Sequence, residues 1–537
     1  MRGFFGLNVA VSGLFTAQRN LDVVNNNLSN VNTPGYSRQY AAQSASMPIT
    51  MLDGTGMVGT GSEVTGVYRI RDEYMDAKYI RESSAYGEWE AKFNMLSDLE
   101  AAFNEPSDSG FSVIFNEFFN SLQELAKDPS SPAVRALVRE TGVTVAKYFN
   151  NLATHLEQLQ RDINNIISVK VESVNSLAEQ ISQLNKQIFD MEVGGNIANE
   201  LRDQRTLLVD KLSRIINVNA YEVKGEKLPD GTYATYFVVD IGGKSLVSHA
   251  NVCKICVEQR QTSLNPEDAE KLYEVKWSDG NNLSITSGEL RGYLDIRDGN
   301  EGENGSPMYR GVPYYIKKLN QFVRTFAMAF NEGYIDVDNS GTIEAGEDGA
   351  GHADGYGIDN GTGTPISGIR FFTMTGDDGK PVSSQNFING ATSIDDIVAK
   401  YSQITAKNFA ISSDIMSDVN LISTSDTFGE KGNIENLNRL LQLRHNTHMF
   451  AEGAPEDFVK SIVSSLGVDA QQAKRLTNTQ EAVISQIDNR RISVSGVSID
   501  EEMINLVKHQ QAYNASARMI TTITEMYDKL INEVGIS

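Results

Sequence analysis

An apolar stripe of heptad spacing sits at each end of the chain, and this constrains the fold more than any other feature of the 537 residues. At the start, Phe4, Leu7, Val11, Leu14, Gln18, Leu21, Asn25 and Leu28 follow alternating steps of three and four. At the end the same rhythm runs through Ile499, Met503, Leu506, Gln510, Tyr513, Ala517, Ile520, Thr524, Tyr527, Ile531 and Val534, nine of these eleven being apolar. Such a stripe is one face of a helix, and it needs another helix to cover it. Chain ends fray unless they are tied down. The simplest arrangement therefore pairs the two ends with each other. Gln18 and Asn25 interrupt one stripe, Gln510 and Thr524 the other. Polar residues in a seam cost stability but fix register.

Between the ends the periodicity changes several times. Residues 39–75 read as loop and strand, and 76–216 as helix almost throughout, punctuated by "PSDSG" (106–110) and "DPSSP" (128–132). A long stripe through Ile163, Ile167, Lys170, Val174, Leu177, Ile181, Leu184, Ile188 and Met191 stops at Gly194-Gly195. Over 217–298 the period becomes two, as in "TYATYFVVDIGGKSLVS", which predicts β structure closed by "SGELRGYLDIRDG". Helix returns at 309–334, a Gly-rich acidic stretch with short strands follows to about 415, and helix resumes from about 433 to 534 with a break near "RRISVSGVS". The fold class expected is α+β multidomain. It consists of a terminal helical tube domain (1–75 and 490–537), a long-helix bundle built from both halves of the chain (76–216, 299–334, 416–489), a β-rich domain (217–298) and a Gly-rich acidic β insertion (335–415).

Few constellations point to chemistry. "GTGMVG" (54–59) matches GxGxxG, but a strand pattern follows it where a dinucleotide site needs a helix. His445 and His448 are spaced to share a metal on a helix, without a glutamate base or a further ligand. The two cysteines, Cys253 and Cys256, alternate within a strand pattern, and no second pair exists to complete a zinc site. No catalytic set emerges, so the chain reads as a non-enzyme. The one metal motif is "DVDNSGTIEAGE" (336–347), close to an EF-hand loop, with Asp336, Asp338, Ser340, the Thr342 backbone and Glu347 as the calcium ligands expected. Glycines follow where the exiting helix should start, and residues 333–365 hold seven Asp or Glu and no Lys or Arg, so a solvated acidic loop remains the alternative. No other cofactor is indicated. A formal net charge of −23 argues against nucleic acid and anionic membranes as partners. No run of about 20 apolar residues is present to cross a bilayer. The apolar start lacks a convincing cleavage site for a signal peptide.

The stretch "NNNLSNVNTPGYSR" (25–38) spends four asparagines between positions 25 and 30 and then a turn. Pro34 and Gly35 suit the two central positions of a type II turn. This stretch, together with "SGVSIDEEMINLVKHQQAYNASARMITTITEMYDKLIN" at the other end, resembles the paired terminal signatures of the bacterial flagellar rod, hook and hook-associated proteins. "ANELRDQRTLLVDKLS" and "SGELRGYLDIRD" are similar to internal motifs of the hook-associated members. The resemblance implies a self-assembling junction between hook and filament, secreted unfolded through the flagellar type III apparatus and located outside the cell. It implies as partners the hook protein, a second junction protein, neighbouring copies of the chain and a cytoplasmic export chaperone. The assembly interface expected is the pair of stripes: Leu7, Val11, Leu14, Leu21, Asn25 and Leu28, with Met503, Leu506, Gln510, Tyr513, Ala517, Ile520, Tyr527 and Ile531. The asparagines at the helix end are expected to bond to neighbouring subunits. A hook or rod protein, and a calcium-binding surface adhesin, remain open as other readings.

Overall fold

The computed structural model describes residues 5–50, 56–103, 110–227, 233–334, 350–358 and 366–532. Helix α1 (Phe5–Ser29) leads into a hairpin arm of β1 (Gln39–Ala45), β2 (Ile49–Thr50), β3 (Met57–Val58) and β4 (Ser62–Arg69). In this arm β1 pairs antiparallel with β4, and β2 with β3. Helices α2 (Glu73–Phe103), α3 (Phe111–Lys127), α4 (Pro132–Val193) and α5 (Asn199–Ile215) follow. The 62 residues of α4 form the longest element, about 93 Å at 1.5 Å per residue. Proline fits its first turn, where no amide is required. Its end is the expected one, with Gly195 in the left-handed region at φ 81°.

The β region packs on α4. Strands β5 (Asn219–Lys227), β6 (Tyr233–Ile241), β7 (Lys244–Ser248) and β8 (Asn251–Val252) form an antiparallel sheet in that order, and β9 (Ile255–Gln259) pairs with β10 (Tyr273–Trp277). Val239, Ile241, Leu246 and Val247 are buried. Polar residues of α4 serve the strand ends: Asn175 donates to the Ile255 carbonyl (2.7 Å) and accepts from its amide (3.0 Å), while Asn185 donates to the His249 carbonyl (3.0 Å). The closing stretch "ELRGYLDIRD" is a helix, α6 (Glu289–Asp298), rather than part of the β domain. Gly288 starts it at φ 95°, where a Cβ would lie 2.6 Å from the Ile215 carbonyl oxygen. The close approach of α5 therefore requires glycine there.

Helix α7 (Val312–Glu332) is buried on nearly every side. After it come β11 (Phe372–Met374), α8 (Ser384–Phe387), α9 (Ile394–Tyr401), β12 (Phe409–Ile411), α10 (Ser413–Ser417), α11 (Glu435–Gln442), α12 (Pro455–Ser495) and α13 (Ile499–Asn532). The sequence set 335–415 apart as an insertion. Its described residues instead complete the core of the helical body. Phe322 of α7 lies 5.3 Å from Phe111, 5.0 Å from Phe149, 5.4 Å from Phe450 and 5.9 Å from Phe458, ring centre to ring centre. Phe371 and Phe372 reach the same cluster through Phe118 and Phe330. Asn331 holds them there, accepting from both their amides (2.8 and 3.1 Å) and donating to the Phe372 carbonyl (2.6 Å). Stacked and edge-on aromatic rings add directional preference to area burial, so one phenylalanine-rich core unites α3, α4, α7, α12 and the β11–β12 pair.

Candidate assembly interface

The two chain ends do pair: α1 and α13 run antiparallel along each other. Gly6 lies opposite Ile523, Gly13 opposite Ser516, and Asn27 opposite Glu502, so each step of seven along one helix matches seven on the other. The buried line is not the expected stripe. On α1 it falls one residue earlier, at Ala10, Ala17 and Val24 with Asn20 and Asn27, and among the described residues of α13 only Glu502 and Ile523 are buried. A Cβ on Gly13 would lie 3.1 Å from the Ser516 hydroxyl. Small side chains at a contact let helix axes approach more closely, and here the close line excludes the bulky one.

The large residues of the expected stripes consequently flank the seam. Leu7, Val11, Leu14, Leu21 and Leu28 are half-buried, as are Leu506, Tyr513, Ala517, Ile520 and Tyr527, while Asn25, Met503, Gln510 and Ile531 are exposed. Sequence reasoning passed over a further set, Phe15, Ile504, Val507, Met519, Met526 and Leu530, all exposed. The signal was present, since α13 carries apolar residues on faces its heptad does not use. A helix with unpartnered apolar residues on several faces is built to be covered by another body.

At the base of the pair, "NTPGYSRQ" forms the junction with the body. Tyr36 N–H donates to the Thr33 carbonyl (3.2 Å) and Gly35 sits at φ 78°, the type II turn that Pro34-Gly35 predicts. Asn27, 1 % exposed, fills all its hydrogen-bonding sites within the chain. Its amide donates to the Gln39 carbonyl (2.9 Å) and Glu502 (3.0 Å), and its oxygen accepts from Gln39 N–H (2.9 Å) and the Tyr36 hydroxyl (2.9 Å). Burial, then the carboxylates of Glu200, Asp203 and Glu502, push the Tyr36 phenol well above its ordinary range, so it stays a donor. The asparagine stretch is therefore used inside the chain, contrary to the expectation that it bonds neighbours. Asn27, Asn26 and Asn30 are all engaged internally, and Asn25 keeps an exposed side chain.

A network of charged groups ties this turn to the body and to α13. Asp203 of α5 accepts from Ser37 through both its amide and hydroxyl (2.7 Å each) and from Arg69 (2.8 Å). Arg71 bridges the Ser37 hydroxyl (3.0 Å) and Asp76 of α2 (2.7 Å). Arg491, near the end of α12, reaches Asp76 (3.0 Å) and Asp210 (2.8 Å). Arg38 closes the base, donating from Nε to Glu502 (2.8 Å) and from Nη1 to Glu501 (2.6 Å). None of Asp203, Glu502 or Arg491 stands out in the sequence by itself, because their partners lie hundreds of residues away.

The other motifs add no site. The calcium ligands expected at Asp336, Asp338, Ser340, Thr342 and Glu347 lie outside the described residues. His445 ends a short 3-10 turn and His448 lies beyond it, so they share no helix face. Cys253 and Cys256 carry free thiols at half-buried positions, and burial pushes Cys256 up from its ordinary value. Among the described residues no cluster of three or more His, Cys, Asp or Glu is placed to hold a metal, and no helix is long and apolar enough to cross a membrane.

Residues 96–346 match the family described as flagellar hook-associated protein FlgK helical domain. Residues 489–533 match the flagellar basal body rod FlgEFG protein C-terminal family, and residues 7–36 the flagella basal body rod protein family. The chain is 30 % identical to flagellar hook-associated protein 1 of Bacillus subtilis (strain 168), covering 99 % of each. It is 27 % identical to the protein of the same name in Escherichia coli (strain K12), over 98 % of this chain and 99 % of that one. In structure it is similar to the flagellar hook junction protein FlgK from Burkholderia pseudomallei, with a TM-score of 0.50 at 15 % identity, covering 79 % of this chain and all of the other.

Proposed function

The chain belongs to the family of flagellar hook-associated protein 1, and from that premise we propose that it meets neighbouring copies and the hook through the outward apolar faces of α1 and α13. It is a structural protein of the extracellular flagellum that joins hook to filament. The observation that carries the interface reading is the mismatch between size and burial on α13. Ile504 is 68 % exposed and Ile531 66 %, while among the described residues of α13 only Glu502 and Ile523 are buried. Burying such side chains against a neighbour gains about 1.5–3 kcal/mol each, enough to favour a polymer over a free subunit when several are buried together.

The interface residues are therefore Leu7, Val11, Leu14, Leu21 and Leu28 with Met503, Leu506, Tyr513, Ile520, Tyr527 and Ile531, joined by Ile504, Val507, Met519, Met526 and Leu530. The two copies' helices meet side by side, and the tube wall is closed by apolar contact rather than by the asparagine amides. Export as an unfolded chain by the flagellar type III system, with a cytoplasmic chaperone covering the same terminal faces, belongs to this reading. A second junction protein on the distal side completes it. Electron microscopy of a strain lacking the gene tests the function: hooks without filaments are expected and the cloned gene restores the filaments. Flagella of normal appearance in that strain would overturn it.

A further inference from the structure

Helix α13 is held most firmly at a charged residue. Among its described residues only Glu502 and Ile523 are buried, and Glu502 is 1 % exposed in the helix's first turn. Its carboxylate accepts from Asn27 (3.0 Å) and from Arg38 Nε (2.8 Å), while Glu501 takes the other arm of Arg38 (2.6 Å). The Arg38 amide donates to the Ser495 carbonyl (2.8 Å), so the end of α12, the start of α13 and the end of α1 meet at one point.

Further along, the α1 side of the seam is made of small residues, with Gly13 against Ser516 and Gly6 against Ile523. A seam of this kind discriminates poorly between registers, because after a slide of one heptad Gly6 and Gly13 still present no side chain to the residue that arrives. Covalent tethering limits sliding only through the link Gly496–Ser498, and unwinding the first turns of α13 relaxes that limit. Sliding does carry one large penalty, which is to strip a buried carboxylate of both its partners. An unpaired buried charge is strongly disfavoured, and a buried polar group at a single seam position is a known way to specify register.

We infer that Glu502 is the positioning residue of the terminal pair: it sets the register of α13 on α1, and the pairing of the two ends starts from it. The inference rests on the reading of this pair as the part that neighbours cover, and it adds how the outward residues come to be presented in one fixed phase. The monomer is then ordered from the base outward, with the distal turns left for the polymer to cover.

The test uses the full-length monomer with Cys253 and Cys256 replaced by serine. Disulfide formation is compared for Gly13→Cys with Ser516→Cys, which face each other in this structure, and for Gly13→Cys with His509→Cys, which face each other only after a slide of one heptad. Hydrogen exchange is followed in parallel in residues 20–29, 500–508 and 516–532. With Glu502 present, only the first cysteine pair should close, and 20–29 and 500–508 should be protected more than 516–532. In Glu502→Leu, which keeps apolar bulk and leaves Arg38 its contact with Glu501, protection should fall at least tenfold in both base segments and the slid pair should also close. Glu502→Gln, which keeps one acceptor for Arg38 but turns an amide nitrogen toward the Asn27 donor, should lie between. Unchanged protection in Glu502→Leu, with only the native pair closing, would overturn the inference. Should Glu502→Leu also lower the body's melting transition, the Glu502→Gln comparison decides in the same way. The measurement needs no hook, so its outcome is separate from whether the outward face is the one that assembles.

Discussion

The phenylalanine core around α7 and the terminal pair of α1 and α13 are both helix-on-helix packings, yet they are held by opposite means. In the core, Phe111, Phe115, Phe118, Phe149, Phe322 and Phe326 are each 1 % exposed or less, and ring meets ring across four or more elements. In the pair, many large apolar side chains face outward and the covered line on α1 is mostly glycine, alanine and asparagine, closed at the base by Glu502 and Arg38. The core carries its own stability. In the proposed assembly the pair carries orientation and draws its stability from the neighbours that cover it. On that reading one chain keeps a self-packed body apart from an end that association completes.

That contrast is open to direct attack, most strongly through the core. Phe322→Ala should destabilise the body by about 3–5 kcal/mol, the range for emptying a large buried ring. Calorimetry should show the main transition moved down by many degrees, while exchange at the tip of α13 stays as it was. Acid should find the core next. His352 is fully buried between Phe330 and Phe371, its Nδ1–H donating to the Ile369 carbonyl and its Nε2 accepting from Ser423 N–H. Burial, partly offset by the Ile369 bond and reinforced by Arg135 and Arg370, lowers its pKa to about 4. The unfolded chain takes up this proton first, near pH 6.5, so the stability His352 contributes is whole above that pH and is lost as pH falls toward 4. The loss reaches about 3 kcal/mol for a shift of this size, and His352→Gln should flatten the pH dependence of the melting temperature across that window.

Smaller effects lie at the join and on the surface. Gly35→Ala forces an alanine into the left-handed turn that seats Ser37 on Asp203, at a cost of about 1–2 kcal/mol. Its signature should be faster exchange in 20–29 and 500–508 with the core unmoved. Loss of core protection instead would show that the turn supports the body and not only the pair. Replacing Cys253 and Cys256 together by serine should change stability by no more than about 0.5 kcal/mol, in keeping with half-buried thiols outside any such network. Motility should survive it, and a folded but non-motile double variant would count against a passive role.

Much of this was legible in the sequence, and its failures have a common cause. Spacing predicted the type II turn at Pro34-Gly35, the end of α4 at Gly194-Gly195, the strands of 233–248 and the pairing of the ends. Spacing does not give rotational phase, however, when two adjacent lines share the same heptad. The apolar line at Leu7, Val11 and Leu14 outweighs the small line at Ala10, Gly13 and Ala17 in any count of hydrophobicity, yet close approach selects the small one. The base network was hidden for another reason. Asn27 and Glu502 are 475 residues apart, and nothing local marks either as buried. The stretch 335–415 was read by its glycines and acids, whereas Phe371, Phe372 and Phe409 decide where its described residues go.

The central claim is that the outward face of α13 serves its neighbours and contributes little to the monomer. Ile504→Asp with Ile531→Asp places a charge at two of its most exposed apolar positions. The direct measurement is incorporation at the hook tip, scored by electron microscopy in a strain lacking the native gene, with a secreted variant whose monomer melting curve has been recorded. The account predicts a melting curve that overlays the parent's and hooks that carry no filament. A variant that assembles normally, or one whose monomer unfolds cooperatively at a markedly lower temperature, would contradict it.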